Sequence, residues 1–324
     1  MAPEKATTTW LVGDVGGTNA RFGLVSPDGA LLDSRVLADA DYPGIGEAID
    51  AYLDQRGALP RPRRGAIAIA SAIGGDQVRM TNHPWTFSIS GLQKRLRFQR
   101  LEVINDFTAQ ALALPRLGPG DKVAIGRGEA QPGCPIGVLG PGSGLGVSGL
   151  VPSGNRWIPL TGEGGHATMS PFTDRESAVL DTMRHQFDHV SAERVISGPG
   201  LINLYNALAA VDGVPAQQYT AAQITDPASA RDDPRCAETT DMFCAMLGTM
   251  AGNLALTLGA KGGVYIAGGI VPRLGERFAA SPFRERFESK GRFRDYLAVI
   301  PTFVVTHTLP AFLGCAAALA QRPD

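Results

Sequence analysis

The sequence is short of several features that would each have pointed to a function. Its four cysteines, at 134, 236, 244 and 315, form no C-x-x-C pair. That removes zinc clusters and thiol redox motifs, and leaves free thiols buried in a reducing compartment as the expectation. Charge of either sign is not in excess, with 30 Lys+Arg against 31 Asp+Glu and a net charge of −1. Broad contact with a phosphate backbone needs a basic surplus, so no nucleic-acid partner is expected. The arginine-rich stretches at 61–64 and 94–100 contain one aromatic, Phe98, and read as solvated surface. The first ten residues, MAPEKATTTW, have no apolar core of the kind an export signal carries, so a cytoplasmic location is expected. Long apolar runs are missing except at residues 242–260, which hold no charge and include Gly248-x-x-x-Gly252. A membrane helix with a small-residue face fits that pattern. Asn253, the threonines and the glycines within it make a buried core helix the better reading, and no membrane partner is expected.

What the chain has in surplus is glycine. Forty glycines are about 12% of the residues, against roughly 7% in an average protein, and they follow no collagen-like or linker-like period. They gather at strand ends. Residues 9–15 read as a strand entering Gly16-Gly17-Thr18-Asn19, with residues 21–25 returning as the second strand of a hairpin. About 126 residues later the pattern recurs: residues 136–139, the turn Gly140-Pro141-Gly142-Ser143-Gly144, and residues 145–151. LVGDVGGTNARFGLV and VLGPGSGLGVSGLV therefore read as an internal repeat. A third apolar strand, 263–267, runs into Gly268-Gly269. Between them Ile45, Ala48, Ile49, Tyr52 and Leu53 have helical spacing, residues 66–71 and 101–104 read as strands, and 107–114 as a helix ended by Pro115. Strands alternating with helices predict an α/β fold.

A glycine turn permits positive φ and lets amide N–H groups reach an anion; a plain tight hairpin is the alternative. The P-loop pattern G-x-x-x-x-G-K-[ST] does not occur. A G-x-G-x-x-G does, at Gly144, Gly146 and Gly149, but a strand rather than a helix follows it, which argues against dinucleotide binding. Asp14 ends the first strand directly before its glycine turn. A carboxylate there repels phosphate unless Mg²⁺ lies between, usually through water; an Asx-type turn is the alternative. Asn105-Asp106 closes a strand and opens a helix, either as caps or as groups projecting from the carboxyl edge of the sheet. Glu163 and His166 stand three apart in a glycine-rich loop, suited to metal or to a hydroxyl-rich ligand, with no third metal ligand nearby. Glu193 reads equally as a surface charge. His185 and His189 are four apart on an expected helix but lack the glutamate of a zinc protease.

Taken together, LVGDVGGTNARFGLV (11–25), MTNHPWTFSI (80–89), LEVINDFTAQALA (101–113), GPGSGLGVSGLV (140–151), GEGGHATMSP (162–171), HVSAERVISGPGLINLY (189–205) and GGVYIAGGIVPR (262–273) resemble the bacterial glucokinase family of the actin-like sugar-kinase superfamily. The resemblance covers almost the whole chain. It implies an actin-like, ribonuclease H-like duplicated fold of two α/β domains around a cleft, residues 1–116 with 307–324 and residues 117–306. It implies ATP and Mg²⁺ as cofactors, D-glucose as substrate and the first step of glycolysis as the reaction. On it, Gly13, Asp14, Val15, Gly16, Gly17 and Thr18 form the first phosphate hairpin, and Asp14 meets the metal through water. Gly142, Ser143 and Gly144 form the second, and Gly268 and Gly269 lie near the nucleoside. Asp106 matches the general base; Asn105, Glu163, His166 and Glu193 match the ligands of the sugar hydroxyls. Ser143 stands where the family usually has Thr, which keeps the hydroxyl. Residues 167–174 contain no Cys, so the chain resembles the zinc-free group, and a homodimer is implied. Another hexose or amino-sugar kinase on the same scaffold is the rival within enzymes, and a sugar-sensing regulator the rival outside them.

Overall fold

The computed structural model describes residues 9–55, 59–81 and 83–321. Residues 1–8, where the export-signal reading fell, and Asn82 of the MTNHPWTFSI stretch lie outside the described residues. Two compact units emerge: Met1–Leu117 with Ser153–Thr161 and His307–Asp324, and Gly118–Pro152 with Gly162–Thr306.

The first unit is built on a five-stranded sheet in the order Leu31–Ala38, Asn19–Val25, Trp10–Val15, Arg64–Ile69, Arg100–Asn105. The first three strands are antiparallel and the last three parallel. Period-two alternation divides its side chains between two apolar layers. Leu11, Val15, Ile67, Ile69, Leu101 and Val103 share one cluster with helices Ile45–Asp54 and Ile89–Leu96. Trp10, Val12, Ala66 and Ala68 share the other with helix Pro310–Gln321. The second face is lined with alanines, and small residues let a helix lie close to the sheet. The same closeness recurs between helices, where Gly314 packs on Asp106–Ala113: a Cβ at Gly314 would overlap the carbonyl of Ala109.

The other large sheet has six strands in the order Arg156–Leu160, Leu145–Ser153, Ile136–Pro141, Val264–Ile266, Thr302–Val305, Lys122–Ile125. Leu145–Ser153 and Ile136–Pro141 form an antiparallel hairpin, and Ile136–Pro141 is parallel to Val264–Ile266, which is parallel to Thr302–Val305. In each unit, then, the first strand of a glycine hairpin has its return strand on one side and a parallel strand on the other. This is the structural counterpart of the sequence repeat.

Residues 242–260 lie mainly in helix Pro234–Leu258, capped by Asp233 and ended at Gly259 in the left-handed region. That helix is long and apolar enough to cross a membrane, yet 61% of its most apolar window is buried inside the protein. Its Gly248 and Gly252 face the carbonyls of Phe283 and Phe287 on helix Phe283–Glu288, so the small-residue face serves close packing in a globular core. Three cysteines are buried as expected, but Cys134 is only half-buried. Burial pushes the Cys244 and Cys315 thiols up to about 12. The two spaced histidines do not share a helix. Asp174–Arg184 stops before His185, which becomes its C-cap, and His189 lies beyond, its Nε2 2.9 Å from Thr168 Oγ1.

One burial in the first unit is costly. Asp39 is 1% exposed and neither carboxylate oxygen has a hydrogen-bond partner among the described residues. Loss of solvation raises its pKa above the usual 3.8, with the positive potential of His83 working against the rise. The Asp39 N–H donates to the Thr18 carbonyl at 3.0 Å, so this residue holds the first glycine turn.

Two stability predictions follow from this packing. Gly314→Ala should lower stability by about 1–3 kcal/mol, the usual range for overpacking, read as a fall in the urea midpoint. The Asp39 carboxylate binds a proton more readily when folded than when unfolded. Its contribution therefore weakens stability as pH rises from 3.8 through the raised folded value, and is constant above that. Asp39→Asn should flatten this part of the pH–stability curve and raise the thermal midpoint at pH 7 by about 2 °C or more, measured by calorimetry across a pH series.

Candidate functional site

In the first unit, the parallel register decides which side chains share an edge. Val15 pairs with Ile69, and Ile69 with Asn105. The three strands therefore end at one level, and each step across the sheet is about 4.8 Å. Asp14 and the turn at residues 16–18 leave from the first strand end, and Asn105-Asp106 from the third. The structure thus brings the first hairpin and the expected base to one carboxyl edge, where open α/β sheets bind ligands.

Asn105 is the N-cap of helix Asp106–Ala113. Its Oδ1 accepts from the Phe107 and Thr108 amides at 2.9 and 3.2 Å, and its Nδ2 donates to the Ser71 carbonyl at 3.3 Å. Capping and projection from the edge are therefore the same geometry, and the side chain is held rigid by it. Asp106 begins the helix, with its Oδ1 accepting from the Phe107 N–H at 2.9 Å. A carboxylate at this position is stabilised by the positive end of the helix. Asp14 is paired across the hairpin with Arg21, Oδ2 to Nη1 3.3 Å. Burial raises its pKa, and Arg21 partly offsets that. Beneath it the Cys315 Sγ donates to the Gly13 carbonyl at 3.5 Å.

The glycine turns differ from expectation in one respect. None of Gly16, Gly17, Gly142 and Gly144 has a positive φ. Moreover, the Gly16 amide closes its own turn on the Asn19 carbonyl, and the Gly142 amide on that of Gly144. What these two positions offer a ligand is the absence of a side chain. A Cβ at Gly142 would meet nothing within 4 Å, and one at Gly16 only the Asn19 carbonyl at 3.6 Å. Gly268 is the exception. Its φ is +80°, and a side chain there would overlap the carbonyl of Pro141.

In the second unit the candidates converge on the end of Ile136–Pro141. The loop carrying Glu163 and His166 lies on the return strand of the hairpin because it has glycines to do so. A side chain on Gly165 would overlap the Leu145 carbonyl, and one on Gly164 would come within 2.9 Å of Val147. Glu163 and His166 themselves are exposed, with the His166 amide donating to the Glu163 carbonyl at 3.0 Å. Glu193, on the short helix Ala192–Val195, accepts the Leu145 amide on its Oε2 at 2.9 Å. The two stretches are joined to each other as well, since the Ala192 amide donates to the Ala167 carbonyl at 2.8 Å. Gly268 abuts the strand before the turn, and Gly269 is open and exposed. Glu163, His166, Glu193, the turn at 142–144 and Gly268-Gly269 therefore form one neighbourhood. Glu193 is not a loose surface charge.

Among the described residues no group of three His, Cys, Asp or Glu is placed to hold a metal alone. Asp14, already paired with Arg21, suits only a cation that arrives with most of its ligands, such as Mg²⁺ on nucleotide phosphates. Sequence reading missed Asp39, whose only signal is a carboxylate in a stretch too short and polar to place. It also missed the ties from Ser191–Gly198 residues to the second turn, which depend on contacts far apart in the chain.

Comparison with known proteins places the chain in a family. A family model described as Glucokinase matches residues 11–322. A glucokinase of Paramagnetospirillum magneticum is 53% identical over 307 residues, covering 94% of this chain and 96% of that one. The bifunctional protein glk of Paraburkholderia xenovorans is 50% identical over 99% of this chain, which spans 50% of its length. The crystal structure of a glucokinase from an Antarctic psychrotroph superposes with a TM-score of 0.90 at 38% identity, over 97% of this chain and 99% of that one. The fold is thus the duplicated α/β fold of these kinases, and the chain belongs to the glucokinase family.

Proposed function

We propose that the protein is an ATP-dependent glucokinase that transfers the γ-phosphoryl group of ATP to the 6-hydroxyl of D-glucose, giving glucose 6-phosphate and ADP. The observation that carries the reading is the convergence of Glu163, His166 and Glu193 on the second glycine turn, in a chain that matches the glucokinase family from residue 11 to 322. A phosphate turn alone fits many nucleotide-binding proteins. One with two carboxylates and an imidazole beside it fits a ligand rich in hydroxyl groups.

In this reading Asp106 accepts the proton of the 6-hydroxyl as that oxygen forms its bond to the γ-phosphorus. The bond from the γ-phosphorus to the β-phosphate oxygen breaks, and ADP leaves. Asn105, Glu163, His166 and Glu193 hold the remaining hydroxyls. The turns at residues 13–18 and 142–144 receive the phosphates, and Gly268-Gly269 leave room for the nucleoside. Magnesium bound with ATP would supply charge neutralisation at the phosphates, and Asp14 is the residue that would hold it, through water. Residues 1–116 with 307–324 contribute the first turn and the base, and residues 117–306 the second turn and the sugar and nucleoside contacts. The same reading includes a homodimer in the cytoplasm, acting at the first step of glycolysis. Most of the rate comes from positioning, because the chemistry asks for little beyond one proton transfer and charge stabilisation.

The deciding measurement is a coupled assay for glucose 6-phosphate with glucose and MgATP, run beside mannose, fructose, glucosamine and N-acetylglucosamine. Glucose should have the highest kcat/KM; a preference for an amino sugar would replace the substrate in this reading. Asp106→Asn keeps an oxygen for the Phe107 amide, so the helix start should survive. Its kcat should fall by about 10²–10⁴ while glucose still binds in titration calorimetry. Turnover near that of the unmodified protein would rule out Asp106 as the base.

A further inference from the structure

We infer that Glu193 has a second task, linking occupation of the sugar site to the affinity of the second phosphate turn; this rests on the proposed function. The same carboxylate expected to hold a sugar hydroxyl already holds the turn. Its Oε2 accepts the Leu145 amide at 2.9 Å, and a Cβ on Gly144 would overlap that very oxygen. Position 144 is therefore glycine for the carboxylate's sake as well as for any phosphate. The grip extends to the other end of the turn. The Gly198 amide donates to the Gly142 carbonyl at 2.8 Å, and the Gly142 amide to the Gly144 carbonyl at 2.8 Å. Ser197 ties the segment together: its Oγ donates to the Glu193 carbonyl at 2.8 Å and accepts the Gly200 amide at 2.9 Å. Residues 193–198 thus clamp residues 142–145 on both sides.

A carboxylate against a phosphate turn is electrostatically adverse. With its sugar partner absent, Glu193 presents a negative charge beside the open space in front of the turn, where the phosphates would lie. A sugar hydroxyl donating to that carboxylate draws its charge away from the turn and fixes the side chain in the position that supports Leu145. Bound sugar should therefore tighten MgATP binding, and by linkage MgATP should tighten sugar binding by the same factor. The arrangement also weakens nucleotide binding when there is no acceptor for the phosphoryl group. Neither consequence follows from Glu193 acting as a sugar ligand alone.

The test is a binding cycle with the non-hydrolysable imido analogue of ATP plus magnesium, measured by calorimetry with and without saturating glucose. In the unmodified protein, glucose should tighten the analogue about fivefold or more. Glu193→Gln, which can still accept the Leu145 amide but carries no charge, should bind the analogue without glucose more tightly than the unmodified protein does. Gly144→Ala pushes the carboxylate off Leu145 while leaving it in the protein, and should bring the ratio with and without glucose close to one. A far-ultraviolet spectrum and thermal midpoint for each variant establish that it is folded; if Glu193→Gln is not, Gly144→Ala decides. The inference is overturned if the unmodified protein shows no glucose effect on the analogue, or if a folded variant keeps the full effect. A protein that phosphorylates glucose but lacks the coupling sinks this inference only. Failure to phosphorylate any sugar sinks the proposed function instead.

Discussion

The parallel pairing of Trp10–Val15 with Arg64–Ile69, and of that strand with Arg100–Asn105, is the constraint on which the first half of the site depends. Because the three strands end in register, a glycine turn and a helix start are delivered to the same edge without any long loop to place them. Precision of this kind comes cheaply from hydrogen-bonded strands, whose spacing is fixed by the ladder. Asn105 then stiffens the helix start by spending its amide on backbone groups on both sides. The second unit repeats the device with Ile136–Pro141 beside Val264–Ile266, again ending in glycine.

How the glycines serve the two halves proved to be a matter of space more than of backbone conformation. At the turns they keep ordinary φ values and leave the front of the hairpin clear. Elsewhere they let one element lie against another: Gly164 and Gly165 on the hairpin strand, Gly248 and Gly252 under the helix at residues 283–288, Gly314 over Ala109. Each contact brings two backbones closer than any side chain would allow. The surplus of glycine is thus a record of close approach.

Much of this was legible in the sequence. The two hairpins, the amphipathic helix with Ile45, Ile49 and Tyr52, the junction at Asn105-Asp106 and the buried core helix follow from periodicity and punctuation, because each is governed by neighbours close in the chain. Leu31–Ala38 was not legible. It lies at a sheet edge, exposed on both faces, with Leu31 48% and Val36 60% exposed, so no apolar alternation marks it. Lys122–Ile125 and Thr302–Val305 are too short to announce themselves and exist by pairing, the first with the second and the second also with Val264–Ile266. His185 and His189 were placed on one helix by spacing, whereas the helix ends at Arg184. Asp39 and the clamp on the second turn were hidden for the same reason: each is defined by a contact between distant residues.

The hydrogen bond from Cys315 to the Gly13 carbonyl spans 302 positions in sequence. It joins the helix Pro310–Gln321 to the first strand, and the alanine-lined face of the first sheet has that helix as its cover. During synthesis the first unit must therefore wait, its apolar face unsealed, while the whole of the second unit emerges. The second unit has all its strands in hand earlier and can fold first. The sheet that carries Asp14 and Asp106 is thus the last to receive its cover.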